Sequence, residues 1–494
     1  MAAMIDNTRD LKVLIASRYP LIMAESHDEV RFMALVRRAA GASGIPVWTW
    51  TMTQGLRRDA VQGPAYATVD PDKALQFVST VAEPGVFVFN DVQHALEDAR
   101  VVRRVKEIAQ EATEGVTVVL AVAALKIPPE LDGLALPWKL QPPTREEIQE
   151  IVDRNLKDLS QRGISVTLSD AEIHQVVDAC LGLSAAEAGQ VVQEAALDDG
   201  KVDAADVEYV RKAKAEILGQ GGVLELIETT AGSLDQVGGV ERLKEWLRVR
   251  GKAFEPAAKD FGLDPPRGVL LTGVPGCGKS LVARTLARSW SMPLLLLDPA
   301  RLYGPYVGES EQRLRDSLAT VEAMAPAVLW IDEIEKGLAA GSEADSGVSQ
   351  RLRGTFLRWM QDRPQGVFLV ATSNDVTSLP PEFLRRGRFD EIFFVDLPNE
   401  TERKRIFELH LARRKRDPAK FDVEQLAQAT DGFSGAEIEA TVVGALYRAF
   451  GTQADITTEQ IAQEIQGAVP LSRTRAEDIQ RLRAWAQGRT TPAS

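Results

Sequence analysis

The stretch Gly273-Val274-Pro275-Gly276-Cys277-Gly278-Lys279-Ser280 constrains this chain more than any other. It reads G-x-x-x-x-G-K-S, follows the apolar run GVLLT and opens the amphipathic run LVARTLARSW. Strand, glycine loop and helix in that order is the context in which such a loop cradles a phosphate chain. Gly276 and Gly278 permit positive-φ backbone, so successive N–H groups can wrap one anion. The helix N-terminus adds its partial positive charge. Lys279 is expected to reach the outer phosphates and Ser280 to ligate magnesium, with Pro275, Gly276, Cys277, Gly278 and Leu281 completing the nucleotide contacts. Cys277 reads as a small filler at a variable position of the loop.

A second element lies downstream. Ala327-Val328-Leu329-Trp330-Ile331-Asp332-Glu333 is an apolar strand ending in two carboxylates. Asp332 suits a magnesium site, and Glu333 suits the general base that polarises an attacking water. The strand GVFLV then runs into Ala371-Thr372-Ser373-Asn374, where Asn374 can orient the same water. Leu384-Arg385-Arg386-Gly387-Arg388-Phe389-Asp390 sets arginines at a glycine turn before another strand, and their fork donors suit the γ-phosphate of a neighbouring subunit.

Composition narrows the class. The 58 basic and 71 acidic residues leave a net charge of −13, so a broad phosphate-binding face for nucleic acid is not expected. With 45% apolar and 26% charged residues the chain should fold into globular units. At roughly 100–200 residues per unit, three or four are expected. Two cysteines exclude a disulfide scaffold. The start lacks the pattern of a secretory leader and no long apolar stretch suggests a membrane span, so the cytoplasm is the expected compartment.

The runs LIMA, VWTW, VFVF and VTVVLAV read as buried parallel strands alternating with helical patterns. An all-helical part follows, opened by Thr144 with Glu147 as a capping box. The same plan recurs with GVLLTG, PLLLLD, AVLWID, GVFLVATSN and EIFFVDLP, then a second helical part. The expected boundaries are an α/β domain over 1–142, a helical lid-like part over 143–218, a linker over 219–231, a catalytic α/β domain over 232–398, a helical lid over 399–470 and a tail over 471–494.

Gly238-Gly239, the phosphate loop, Tyr306-Val307-Gly308-Glu309-Ser310-Glu311, Asp332-Glu333, Asn374, LRRGRFDE and Gly432-Phe433-Ser434-Gly435-Ala436-Glu437 together resemble the AAA clade of AAA+ ATPases. The resemblance implies a P-loop AAA+ fold, a parallel sheet with flanking helices plus a helical lid, working with ATP and magnesium in a homo-hexameric ring. It further implies that Val237, Gly238 and His410 flank the adenine, that Gly435 and Ala436 lie near base and ribose, and that Asn374 is the first sensor. Arg385 and Arg388 resemble the paired fingers acting in trans, and Tyr306 with Val307 the first pore loop that grips a protein substrate. The family usually carries a proline or other residue where this chain has Arg386, which leaves the roles of the three arginines open. ASRYPLIMAES, SGVSQRLRGTFLRWMQD and AVPLSRTRAEDIQRLRAWAQGR extend a likeness over nearly the full length to the hypothetical chloroplast reading frame forty-six type of AAA ATPases, found in plastids and bacteria.

Where the second half has its phosphate loop, the first has Glu25-Ser26-His27-Asp28-Glu29. Ser26 with Glu29 reads as a capping box that satisfies the helix N-terminus internally, and the acidic side chains would repel a triphosphate. The strand GVFVF ends in Asn90-Asp91. The first part is therefore expected to be a degenerate AAA+-like α/β module without catalysis. The expected activity is ATP hydrolysis driving remodelling or threading of a protein partner. The alternative is an ATP-gated scaffold in which the first module recruits a partner.

Overall fold

The computed structural model describes residues 7–494 except 27, 60, 62, 64, 66–67, 82, 112–114, 221–222, 228–233, 304–308, 339–345, 364 and 452. The apolar runs of the first part form β1 (Leu21–Glu25), β2 (Val47–Thr51), β4 (Gly85–Phe89) and β5 (Val116–Val122). Two shorter strands join them, β3 (Gly55–Arg58) and β6 (Leu136–Lys139). The sheet order is β3-β2-β4-β5-β1-β6, and only β3 pairs antiparallel. Successive residues of a strand face opposite sides. Thus Met23, Phe87, Phe89, Val118 and Leu120 enter one core, while Ile22, Ala24, Val86, Val88 and Val119 enter the other.

Helices Arg145–Gln161, Asp170–Cys180, Ala185–Asp199 and Asp206–Gln220 follow, with a two-residue ladder between β7 (Ser165–Val166) and β8 (Lys201–Val202). The Thr144–Glu147 capping box forms at the first of them, with both reciprocal bonds present. The chain divides into two compact units, and this helical segment is shared between them. One unit runs to Gly163 and includes Leu183–Glu194; the other holds Ile164–Gly182 and Ala195–Ser494.

The second sheet is built from β9 (Leu224–Ile227), β10 (Gly268–Gly273), β11 (Leu294–Leu297), β12 (Ala327–Ile331), β13 (Val367–Ser373), β14 (Glu391–Val395) and β15 (Thr491–Pro492). Its order is β15-β14-β10-β13-β12-β11-β9, with β9 alone antiparallel. Part of the segment read as a linker is therefore a strand. Leu270, Leu329 and Leu369 pack on one side, and Val269, Leu271, Val328, Phe368 and Val370 on the other. Helices Glu400–Arg413, Val423–Ala429, Gly435–Gly451 and Thr458–Gly467 gather around Phe407, Leu411, Leu426, Val442 and Ile461 as a separate helical core, the lid.

The two large sheets share one plan. Number the parallel strands of each in chain order, leaving β15 aside: both run fifth, first, fourth, third, second, with an antiparallel strand beyond the second. In each, the first strand lies between the fourth and the fifth, the switch point where α/β folds open a crevice at the carboxyl ends. The first module thus has the topology of the second, with a different turn after its first strand. Its helix after β1 starts at Glu29, and the cap is Asp28, whose Oδ1 accepts from Arg31 N at 2.9 Å. This corrects the expected Ser26–Glu29 capping box. The helix begins late enough that Asp28, three residues before Arg31, meets the free N–H, while Ser26 Oγ accepts from Asp28 N at 3.2 Å. Glu29 instead accepts from Asn90 Nδ2 at 2.6 Å, a hydrogen bond linking the helix start to the end of the third parallel strand. Two residues past that strand, Asp91 has φ 50°; two residues past β12, Glu333 has φ 48°.

Candidate functional site

Residues 273–278 wrap the carboxyl end of β10. Gly273, Gly276 and Gly278 have φ of 133°, 76° and 86°, backbone that an L side chain would strain. At Gly273 a Cβ would also lie 2.1 Å from Val395 O, so the sequence needs glycine there twice over. Lys279 begins the helix Lys279–Ser289 and donates Nζ to the carbonyls of Gly273 and Val274, both at 2.9 Å. Burial pushes its ammonium down to about 8. The free energy of charging a buried lysine favours an anion beside it.

Ser280, the next residue, donates Oγ to Asp332 Oδ1 at 2.9 Å. Thr372 at the end of β13 donates to the same oxygen at 2.5 Å and accepts from Glu333 N at 2.9 Å. Asn374 Nδ2 donates to Glu333 Oε1 at 2.7 Å, and Lys336 pairs with Glu333 Oε2. Glu335, buried, accepts from Asn374 N at 2.9 Å. A hydroxyl, a carboxylate, a base and its amide partner therefore converge from the ends of two neighbouring strands and the start of one helix. The paired Ser280 and Asp332 oxygens fit a hard cation such as magnesium, which takes one or two protein oxygens and completes its shell from phosphates and water.

These groups open onto a cavity of about 780 Å³. Its walls include Gln236 to Val240, Pro275 to Leu281, Asp332, Glu333, Thr372 and Asn374. Ile406, Leu409, His410, Gly435, Ala436 and Glu439 close it from the lid. Ala436 N donates to Gly276 O at 3.0 Å, so the lid touches the phosphate loop directly. A Cβ on Gly238 would stand 2.4 Å from Ile406 Cγ1, which explains glycine at that wall. Burial holds the His410 imidazole below the usual histidine range, beside Glu439 and Arg414. The Cys277 thiol is pushed up to about 12 by burial, which leaves it a poor nucleophile.

Val237, Gly238, Pro275, Gly276, Cys277, Gly278, Lys279, Ser280, Leu281, Asp332, Glu333, Asn374, His410, Gly435 and Ala436 thus line one cavity. Arg385 and Arg388 do not. They precede β14, whereas Val395 and Asp396 at its far end line the cavity. A five-residue strand puts those ends about 17 Å apart. Arg385 and Arg386 are exposed, whereas half-buried Arg388 donates to Gln361 Oε1 at 3.3 Å. Tyr306 and Val307 lie outside the described residues. Sequence reasoning gave no site role to Thr372, Glu335, Lys336, Leu409 or Ser494; Thr372 alone had a signal, its place beside Asn374 at a strand end.

Residues 269–397 match the model of the ATPase family associated with various cellular activities (AAA), and 420–463 match an AAA+ lid domain. Residues 7–137 and 146–221 match the N-terminal and second domains of SpoVK-like AAA ATPases. The AAA domain-containing protein ycf46 of Pyropia yezoensis is 33% identical over 494 residues, covering 99% of each chain. The chain belongs to the ycf46 family of AAA ATPases. The ycf46 protein of Trieres chinensis is likewise 33% identical over 98% of each chain. Beyond ycf46, the cell division cycle protein 48 homolog of Archaeoglobus fulgidus is 31% identical over 47% of this chain and 32% of its own. The chain therefore carries an ATP-binding AAA domain of the P-loop hydrolase class with its lid. Among the described residues no helix is long and apolar enough to cross a membrane.

Proposed function

We propose that this chain is an ATP- and magnesium-dependent mechanoenzyme that acts as a homo-hexameric ring on a protein partner. The observation that carries the reading is the separation of its parts. Ser280, Asp332, Glu333 and Asn374 converge on one cavity, while Arg385 and Arg388 stand at the other end of β14. Arginines that cannot reach their own site suit a neighbour's site, and a head-to-tail contact that repeats closes into a ring. Magnesium would neutralise phosphate charge when bound. Lys279 and the loop N–H groups hold the phosphates, Glu333 takes the proton of the attacking water, and Asn374 keeps that carboxylate oriented. Tyr306 and Val307 are proposed as the grip on the partner.

A second reading has one observation in its favour. The first module keeps the strand order of the second but fills its helix start with the Glu29–Asn90 bond, which suits binding rather than hydrolysis. In that reading the module recruits a partner and ATP turnover resets the complex. A Glu333→Gln trap bearing ATP, used as bait, tests both. Partner capture that depends on Tyr306, with threading by the parent, supports the motor. Capture that persists in Tyr306→Ala and slows turnover supports the switch.

A further inference from the structure

The strand β15 leads to the cavity wall without belonging to any motif described above. β15 runs parallel to β14, with Thr491 opposite Phe393 and Pro492 opposite Phe394. Ala493 is buried; its N–H donates to Phe394 O at 3.0 Å and its carbonyl accepts from Leu243 N at 3.1 Å. It thereby bonds to two separate walls. Leu243 follows the Val237–Val240 wall, and Phe394 precedes Val395 and Asp396. The helix before it, Ala476–Ala486, sinks Leu482 and Ala486 into the core that holds Leu270. Its Arg483 grips Asp396 through Nε and Nη2, at 2.9 and 2.8 Å. Ser494, exposed, then lines the cavity.

The sheet order says which part of a nucleotide Ser494 would meet. β15 and β14 lie on one side of β10, while β13 and β12, which carry Thr372, Asn374, Asp332 and Glu333, lie on the other. The reacting phosphate belongs with the second group. What remains beside Val237–Val240, His410 and Ser494 is the nucleoside. We infer that residues 491–494 form a fixed wall of the nucleoside end of the cavity, with Ser494 in contact with base or ribose. A serine hydroxyl both donates and accepts, so it can serve either a ribose hydroxyl or a base edge. The inference rests on the nucleotide reading of the cavity.

Equilibrium binding of ATP and of inorganic tripolyphosphate to the full chain tests it, because the second ligand has no nucleoside. Ser494→Trp puts an indole at the cavity wall from an exposed position. ATP affinity should fall by about tenfold or more, tripolyphosphate affinity should stay within about twofold, and the unliganded thermal midpoint should not move. Unchanged ATP affinity, or a parallel loss of both ligands, overturns the assignment. Should the bulky variant fail to fold, Ser494→Ala removes only a hydroxyl and should weaken ATP alone by about threefold; no change overturns the contact. A parent chain that binds tripolyphosphate but not ATP, or neither, defeats the nucleotide reading itself.

Discussion

Glu333 is held at both carboxylate oxygens, by the Asn374 amide at 2.7 Å and by the Lys336 ammonium. Each oxygen keeps a second lone pair for a proton, and the two contacts compete with the attacking water for the carboxylate. Glu333→Gln should keep ATP binding and lower kcat by a factor on the order of 10², since the amide keeps the Asn374 contact but is no base; near-parent turnover in a steady-state assay would remove Glu333 from that role. Lys336→Met frees one oxygen without touching the cavity, so kcat should rise about two- to fivefold with KM unchanged. A fall in kcat would instead make Lys336 part of the productive geometry. The phosphate loop, Asp332 and Glu333 were legible because their chemistry is fixed by local spacing on strand and helix ends. Thr372 and Glu335 were less so, because their roles come from strands meeting in space, and the place of Thr372 at a polar strand end does not name its partner; Lys336 lies only three residues from Glu333, but a charged residue at that spacing on a helix is ordinary.

At the scale of elements, legibility followed burial. β1, β4, β5, β10, β12 and β13 are covered on both faces, so each appears in the sequence as an unbroken apolar run. β3 (GLRR), β9 (LELI) and β15 (TP) are short and lie at sheet edges, where one flank has no ladder partner and apolar patterning is weak. The helices show a different cost. Lys214 of Asp206–Gln220 is buried near Cys180, and burial pushes its ammonium down to about 8 from 10.5. Below pH 8 both folded and unfolded forms carry the charge, and the fold bears its full desolvation. Between about 8 and 10.5 the folded form binds fewer protons, so stability rises with pH across that window. Lys214→Met should therefore stabilise by roughly 2–3 kcal/mol at pH 7, and the gain should shrink toward zero by pH 10.5. Urea unfolding at the two pH values measures it; an equal gain at both would mean that packing, not charge, sets the cost.

For the whole molecule, two modules share one strand order and differ at the turn after the first strand. Only the second has glycines that open a phosphate cradle. Lys279→Ala in the full chain should abolish saturable ATP binding altogether; a residual site in calorimetry would mean that the first module binds nucleotide despite Asp28 and Glu29. The arginines make a complementary prediction about neighbours. Arg385→Ala protomers should bind ATP and hydrolyse poorly, and mixing them with Lys279→Ala protomers should restore some turnover, because an intact arginine then faces an intact loop. Mixed rings that stay inactive at every ratio would assign the arginine to its own chain.

The left-handed bend at Glu333 invites the view that the backbone stores strain for the reaction. Asp91 argues otherwise. It stands at the same offset from the corresponding strand, with φ 50° against 48°, in the module whose first strand runs into Glu25-Ser26-His27-Asp28-Glu29 and not a phosphate loop. The chain thus contains its own control. Whatever conformation the two turns share belongs to the way this topology leaves its third strand, with or without a phosphate loop beside it. What marks out Glu333 is its setting, the Asn374 amide and the Lys336 ammonium on its two carboxylate oxygens.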